Sequence, residues 1–385
     1  MYNATFLIKY PIFCFFVPCN HAKRQSIPKT IMNRLYNLDY LRGLAAFGIM
    51  IYHYLIWTVD EFSADTFMGR FGIYGVSIFY VLSGLTLYHV YGNRMNPSKQ
   101  EVILFFKKRI FRIFPLLWLV TIVAIILFKK SPNLYDLLLN LTGLFGFIKW
   151  DKYFSPGVWS IGNELVFYVF FPFFILFIKK FKPFMLALTI FLLGCYLYFA
   201  FVKLNPQLTL SQQWKNYLNP LNQVFLFLGG FLIGFFFHQT KIKNTIIFAL
   251  TILAFTAFTF YPASGNTINL VTGTNRLVFT FFCFLICFCF YKLTFKFPTF
   301  IHQPLTILGE TSYSVYLLHP IVWILTGYAN GVFSKYNFHA PARLMLSVFL
   351  TLIISYYVYQ YFEKYFIKLG QTNKSNPAEL PLYKS

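Results

Sequence analysis

The sequence predicts an all-α polytopic membrane protein, a transmembrane helical bundle of about ten spans. The first observation is composition, because 58% of the 385 residues are hydrophobic and only 11% are charged. An ordinary soluble domain carries about a quarter charged residues. The second is a mean hydropathy of +0.59, and the third is a series of apolar windows of about 20 residues, the length that crosses a bilayer. These observations exclude a disordered chain or a small disulfide scaffold and argue against a soluble enzyme.

The apolar windows define the predicted elements in chain order. The spans are expected at residues 41–58, 71–91, 113–128, 158–178, 184–202, 220–238, 245–262, 277–295, 312–330 and 343–366. Segment 134–148 is also apolar, but it is short and carries Asp136, Asn140 and two glycines. We therefore expect a re-entrant or interfacial helix there and not an eleventh span.

The charge balance supports a topology. The chain has 33 basic and 11 acidic residues, a formal charge of +22. In a soluble protein this excess would suggest nucleic acid, but here basic residues concentrate in alternate loops, as the positive-inside rule requires of cytoplasmic loops. Those loops are 92–112, 179–183, 239–244 and 296–311, whereas loop 59–70 holds three acidic residues against Arg70. The prediction is a lipid-bilayer partner, no nucleic acid, and both termini in the cytoplasm, although Lys129 and Lys130 oppose it.

The two ends of the chain differ in composition from its middle. Residues 1–31 form a weak apolar stretch, broken by Lys9 and Pro11, that is either a poor signal-like segment or an upstream extension without function. Residues 32–366 are predicted to be the transmembrane domain. Residues 367–385 are predicted to be a polar cytoplasmic tail with no soluble domain after it. The six cysteines suggest neither a disulfide framework nor a metal site, since the run Cys283, Cys287, Cys289 has no neighbouring His or acidic ligand.

Ionisable side chains inside spans are costly and by default functional. Arg42 and His53 are separated by ten residues, and eleven steps of about 100° bring them to one helix face about 16 Å apart. A fixed cation at one end and a titratable imidazole at depth suit an anionic donor that enters from the cytoplasm. The alternative is a snorkelling arginine and a histidine that only hydrogen-bonds within the bundle.

Arginines and a carboxylate mark two further segments. Arg109 and Arg112 stand at i, i+3, and such guanidinium pairs bind phosphates, although they are also typical membrane anchors. Glu164 lies one turn after Ser160, beside Trp159 and Asn163. A carboxylate in a span needs a partner, so we expect Glu164 to orient His53 or to pair with an arginine. The alternative is a buried structural ion pair.

The last segment carries a second histidine. Ser312, Tyr316 and His319 fall at i, i+4, i+7 and share a face, and Pro320 is expected to kink the helix beside His319. The alternative for His319 is polar packing, and Glu363 is expected to form an ion pair at the cytoplasmic end. Nucleophile-elbow, P-loop and zinc-protease motifs do not occur, and the spacing of Gly230 and Gly234 is typical of helix packing.

These segments, in this order, resemble the acyltransferase 3 family from about residue 36 to 366. The motifs that carry the resemblance are Arg42 to His53 (R-x10-H), GVSIFYVLSGLTL at 75–87, Arg109 and Arg112 (R-x2-R), WSIGNELVFY at 159–168 and SYSVYLLHP at 312–320. Each motif alone is weak, and five in register are specific. The resemblance implies transfer of an acyl group, usually acetyl from acetyl-CoA, to a hydroxyl of a bacterial surface glycan such as lipopolysaccharide.

The resemblance also implies roles for single residues. His53 would be the catalytic base, assisted by Arg42 and Glu164; Arg109, Arg112 and Arg42 would bind the CoA phosphates; and Trp159, Asn163, Tyr316 and His319 would bind substrate or support the site. No metal is implied. The implied location is the bacterial inner (cytoplasmic) membrane, with a glycan or lipid-linked sugar as acceptor. Some family members fuse a hydrolase-like domain, so this chain is expected to act alone or with a separate envelope partner protein.

Two other functions remain open from the residues alone. A transporter or exporter of a lipid-linked or anionic substrate would use the same buried charges as a relay or clamp. A scaffold for a glycan-modifying complex would keep the fold without the chemistry.

Overall fold

The computed structural model describes residues 34–295, 297–332 and 340–371, and within them all regular structure is helical. The predicted extension 1–31, Lys296 of a predicted cytoplasmic loop and residues 372–385 of the predicted tail lie outside the described residues. The all-α fold class is confirmed.

Each of the ten predicted spans falls on a helix. The helices are α1 Tyr36–Ile56, α2 Phe67–Tyr91, α3 Lys99–Leu127, α4 Leu134–Thr142, α5 Phe145–Ile148, α6 Val158–Lys180, α7 Lys182–Tyr198, α8 Trp214–Tyr217, α9 Pro220–Phe237, α10 Asn244–Phe260, α11 Gly273–Lys292, α12 Thr299–Glu310, α13 Ser312–Val332, α14 Ala340–Tyr357 and α15 Lys364–Gln371. Two π-helical segments, Phe199–Lys203 and Val358–Glu363, continue α7 and α14.

Within the described residues, seven helices are long and apolar enough to cross a membrane, which makes the chain a multi-pass membrane protein. They are α2, α3, α6, α7 with its π-helical continuation, α9, α11 and the stretch Ala340–Gln371. Helix α10 is apolar but has 17 residues, and α1 and α13 have 21 residues each without belonging to the seven. The count of about ten spans therefore stays a prediction.

The segment 134–148 is two short helices and not one long one. Helix α4 has nine residues and α5 has four, and nine residues rise about 14 Å against a hydrocarbon core of about 30 Å. Gly143 ends α4 with φ 75°, a left-handed conformation that glycine adopts without strain. Asp136 pairs with Lys149 at 2.9 Å, and this ammonium, with the Asn133 amide, lowers the pKa of Asp136. The prediction that this segment is not a span is confirmed.

Helix α2 crosses the middle of the bundle and packs closely against α9. A Cβ atom on Gly84 would lie 1.9 Å from the carbonyl oxygen of Phe227, and one on Gly230 would lie 1.9 Å from that of Val81. The two backbones are thus in direct contact, which confirms the packing role expected for Gly230. Helix α2 also packs against α1 and α11, and its side chains line one cavity together with those of α1, α3, α6 and α13.

Candidate active site

Helix α1 carries reactive side chains at both of its ends. We call the end of the bundle that holds Arg42 the arginine end and the end that holds His53 the histidine end. Eleven residues of rise separate the two side chains by about 16 Å along the axis. Because α1 is one uninterrupted helix from Tyr36 to Ile56, this separation is fixed by the backbone.

A cavity of about 300 Å³ begins at the arginine end. On α2 its lining runs from Val90 to Val76, fourteen residues or about 21 Å of helix. The charged lining consists of Arg42, Arg109, Arg112 and Glu164, and Ser83 and Thr86 lie beside it on α2. Three guanidinium groups therefore face one carboxylate, which makes this part of the cavity attractive to a polyanion.

Arg42 is held by an acid and a hydroxyl. Its Nη1 donates to Asp39 Oδ1 and its Nη2 to Thr86 Oγ1, both at 3.0 Å. Asp39 in turn accepts from Arg34 at 2.7 Å, and Arg34 bridges to Glu310 on α12 at 2.6 Å. The Arg42 guanidinium is thus fixed at the cavity wall by a chain of alternating charges.

The two α3 arginines are less fully paired. Arg109 lies over the rings of Phe105 and Tyr168, with its CZ carbon 5.8 and 5.7 Å from their centroids. Its Nε is buried and has no hydrogen-bond partner within the described part of the chain. Arg112, one turn further along α3, is exposed while lining the cavity. A buried donor without an acceptor is costly, so Arg109 Nε is suited to an acceptor that enters with a ligand.

At the histidine end, His53 contacts a second histidine. His53 Nδ1 lies 2.9 Å from His319 Nε2, and His319 Nδ1 lies 3.1 Å from the carbonyl oxygen of Val315. A carbonyl only accepts, so the proton of neutral His319 sits on Nδ1 and its Nε2 accepts from His53 Nδ1. This assignment leaves the Nε2 lone pair of His53 available as a base.

Aromatic rings and a tyrosine hydroxyl hold this pair. The rings of His53 and Trp57 are nearly parallel, 12° apart with centroids at 5.3 Å, and Tyr54 donates to the carbonyl oxygen of His319 at 2.9 Å. His319 is fully buried, whereas His53 is half-buried and Trp57 is 36% exposed. The His53 side chain is therefore reachable from outside the bundle, whereas the His319 side chain is not.

Comparison with known proteins identifies the family. The sequence model of the acyltransferase 3 family, an acyltransferase domain, matches residues 35–360. The chain belongs to the acyltransferase 3 family. It is 24% identical over 368 residues to the O-acetyltransferase OatA of Staphylococcus aureus, covering 86% of this chain and 57% of that protein. It thus spans a little over half the length of OatA.

A second relative is covered more fully. The chain is 24% identical over 313 residues to a protein of the Acidianus two-tailed virus named "Putative acetyltransferase ORF330", which covers 79% of this chain and 89% of that protein. No solved structure matches the chain. Family membership agrees with the resemblance drawn from the five motifs.

Glu164 differs from expectation. Its Oε1 accepts from Ser83 Oγ at 2.8 Å and from the hydroxyl of Tyr168, and within the described residues it forms neither a hydrogen bond to His53 nor an ion pair. The prediction that it orients His53 is wrong, because His319 occupies that position. Glu363 likewise forms no ion pair there; it is buried and accepts from Ser314.

The remaining predicted residues fall into two places. Tyr316 lines the cavity, and its helix α13 then carries His319 one turn further, as their shared face predicts. Trp159 and Asn163 are buried outside the cavity lining. Asn163 donates to the hydroxyl of Tyr80, a lining residue, at 3.2 Å and so supports the wall. Trp159 packs against Trp214, with centroids 5.7 Å apart, away from the cavity.

Several hydroxyl residues of the cavity were not predicted, among them three near the arginines. Ser83, Thr86 and Tyr168 lie within the motif segments 75–87 and 159–168 but carry no charge, so they did not stand out. The available signal was their spacing, because Ser83 and Thr86 are at i, i+3 on α2 and Tyr168 is one turn after Glu164. Within the described residues, no group of three or more His, Cys, Asp or Glu side chains could hold a metal.

Proposed function

We propose that this protein moves an acetyl group from cytoplasmic acetyl-CoA to a hydroxyl of an envelope or exported glycan, in the bacterial inner membrane with both termini cytoplasmic. The observation that carries the proposal is the placement of three arginines and a histidine base at opposite ends of one helix-lined interior. Membership of an acyltransferase family supports acyl transfer, and the name of OatA supports an O-linked acetyl product.

The arginine end fits the phosphates of the donor. Arg42, Arg109 and Arg112 offer forked donors to phosphate oxygens, and the unpartnered Arg109 Nε supplies one that the protein leaves unused. A cavity of about 300 Å³ is too small for a whole acyl-CoA. The nucleotide would therefore stay at the open mouth beside Arg112, and the pantetheine arm would extend along the cavity towards the histidine end.

The histidine end fits the chemistry. In direct transfer, His53 Nε2 takes the proton of the acceptor hydroxyl as its oxygen attacks the thioester carbonyl. The new C–O bond forms, the C–S bond breaks, and the proton passes from His53 to the leaving thiolate, which yields the ester and free CoA. His319 holds the imidazole of His53 through Nδ1 and so stabilises its protonated form. Glu164 contributes by offsetting part of the arginine charge and fixing Tyr168.

The test replaces the proposed base. His53→Ala should lower glycan acetylation by about 10²- to 10⁴-fold, the usual contribution of a general base. The readout is base-labile acetyl on envelope glycans, measured by mass spectrometry in cells that express each variant. The matched control is His89→Ala, since His89 on α2 contacts Tyr291 at 3.2 Å and does not line the cavity.

The outcome separates enzyme from exporter. Full acetylation by folded His53→Ala protein would overturn the proposed role of His53. Acetyl-CoA-independent movement of a sugar substrate, with no acetyl product from the unaltered chain, would instead favour a transporter.

A further inference from the structure

The cavity stops one helical turn short of the histidine pair. Tyr316 is the residue of α13 nearest that end among those that line the cavity, and its ring centroid is 6.1 Å from that of His319. Across the cavity, Phe79 of α2 contacts the Tyr316 ring edge-on with centroids 5.7 Å apart. A thioester that lies between the arginines and His53 therefore places its acyl group against these two rings.

Tyr316 is tied in place by hydrogen bonds. Its hydroxyl lies 2.8 Å from Ser160 Oγ, and Ser160 Oγ donates to the carbonyl oxygen of Gly157 at 2.9 Å. The Tyr316 hydroxyl also donates to the carbonyl oxygen of Gly157 at 3.2 Å, so the two hydroxyls and this carbonyl form one hydrogen-bonded cluster. Gly157 has φ 85°, and a Cβ atom there would meet the Tyr316 ring at 3.4 Å, so the ring packs directly on the start of α6.

The lining changes character along the same path. Towards the histidine end the walls are Val76, Phe79, Tyr80, Ile161 and Tyr316, and none of these side chains is charged. Close-packed aromatic rings resist added volume, because an extra methylene that forces side chains off their rotamers costs about 1–3 kcal/mol. This constriction is therefore sensitive to the length of the acyl group and not to the charge of the donor.

We propose that Tyr316, with Phe79, limits the acyl group to the size of acetyl. This inference rests on the proposed acyl-CoA-dependent transfer. The arginines recognise what all acyl-CoA donors share, so they do not distinguish acyl groups. The two rings supply the discrimination by excluding chains of three or four carbons. Tyr316 is thus a specificity-determining residue.

The experiment compares donors of increasing length. Membranes that contain each variant receive acetyl-, propionyl- or butyryl-CoA, and mass spectrometry quantifies each base-labile acyl group on the envelope glycans. Tyr316→Ala should raise the butyryl-to-acetyl ratio at least about tenfold, because the fit of one or two methylenes in a pocket changes selectivity by about that factor or more. Tyr316→Phe should keep a ratio near that of the unaltered chain, because it keeps the ring and removes only the hydroxyl with its hydrogen bonds to Ser160 and Gly157.

Two further variants provide an alternative to Tyr316→Ala and a control for it. Phe79→Ala opens the same constriction from α2 and should raise the ratio in the same direction if Tyr316→Ala fails to fold. Tyr313→Ala makes the same change one turn nearer the arginine end, where Tyr313 donates to the carbonyl oxygen of Ile113 at 2.9 Å. Tyr313→Ala should leave the ratio unchanged.

The possible failures are distinguishable. An unaltered chain that transfers no acyl group from any donor overturns the proposed function and this inference with it. Acetyl transfer by the unaltered chain, with the same ratio in folded Tyr316→Ala and Phe79→Ala proteins, overturns the size limit alone. A raised ratio in Tyr313→Ala equal to that in Tyr316→Ala also overturns it, because the selectivity would then belong to the cavity as a whole.

Discussion

The two ends of α1 hold their reactive side chains in opposite ways. At the arginine end, guanidinium groups lie against carboxylates and hydroxyls, and Arg112 is exposed. At the histidine end, His53 and His319 contact each other and aromatic rings, and the hydrogen bonds of His53 involve neutral groups. The first arrangement suits binding of a charged molecule that arrives from water, whereas the second suits a proton transfer that needs a neutral imidazole in one tautomer.

The same contrast gives a physical reason for separating the two proposed tasks, donor binding and proton transfer. A cation beside the imidazole would oppose its protonation, since charges interact strongly where water is excluded. The distance of about 16 Å between Arg42 and His53 along α1, given by eleven residues of rise, keeps the arginine charges away from the proposed base. The rings of Phe79 and Tyr316 lie between the two ends.

The largest effect is expected from removing the two α3 arginines of the arginine end. The double substitution Arg109→Ala/Arg112→Ala should weaken acetyl-CoA binding by at least about 100-fold, because each charge-assisted hydrogen bond contributes about 1.5–3 kcal/mol. Isothermal titration calorimetry on purified protein measures this, and the affinity of the unaltered chain should fall with added salt. His53→Ala should leave binding near normal, which separates the two ends.

The control for this binding experiment is a nearby lysine. Lys108→Ala removes one positive charge from the same helix α3 but does not alter the cavity lining, so it should weaken binding far less than the double substitution. Equal weakening by Lys108→Ala would mean that general surface charge, and not the cavity arginines, attracts the donor.

The sequence predicted the helices well and the contacts between them poorly. All ten apolar windows coincide with helices because hydropathy reports burial in lipid, which acts on each segment separately. Helix α3 begins at Lys99, fourteen residues before the predicted span at 113, because a hydropathy window stops at charges that a helix tolerates. The polar residues and glycines of 134–148 correctly predicted that this segment is not a span, but not that it divides into two helices.

Contacts between residues of different helices could not be predicted from residue spacing within one segment. Helical spacing placed His53 and His319 each on a face, but which faces meet depends on packing such as the contact of Gly84 with the α9 backbone. Glu164 was therefore given the wrong partner, since any buried carboxylate is satisfied equally well by hydroxyls. The neutral residues Ser83 and Tyr168 that satisfy it cost little to bury and leave no signal in charge.

A smaller effect is expected from removing the hydrogen-bond partner of His53 at the histidine end. His319→Ala removes the acceptor of His53 Nδ1, and the loss of this hydrogen bond should lower kcat for acetyl transfer roughly 10- to 100-fold, in line with 1–3 kcal/mol for an unmade buried bond. The KM for acetyl-CoA should stay constant, because donor binding belongs to the other end. His319→Gln retains an acceptor oxygen and should recover part of kcat. A rise in KM without loss of kcat would mean that His319 acts in binding.

The smallest effect is expected from Asp39, the carboxylate that pairs with Arg42, and the sign of this effect is informative. Asp39 holds Arg42 at 3.0 Å and repels the phosphates that we propose Arg42 to bind. Asp39→Asn keeps the side-chain shape while removing that repulsion, so acetyl-CoA should bind about two- to fivefold more tightly at low salt, consistent with about 1 kcal/mol for charges a few ångströms apart in water. The gain should vanish at 1 M salt, where the Debye length is about 3 Å.

Asp65→Asn makes the same change at an exposed position of the 59–70 loop, towards the histidine end, and should leave affinity unaltered. If Asp39→Asn instead weakens binding, Asp39 serves to orient Arg42 and does not compete with the donor, and the arginine end would then resemble the histidine end in depending on a fixed partner.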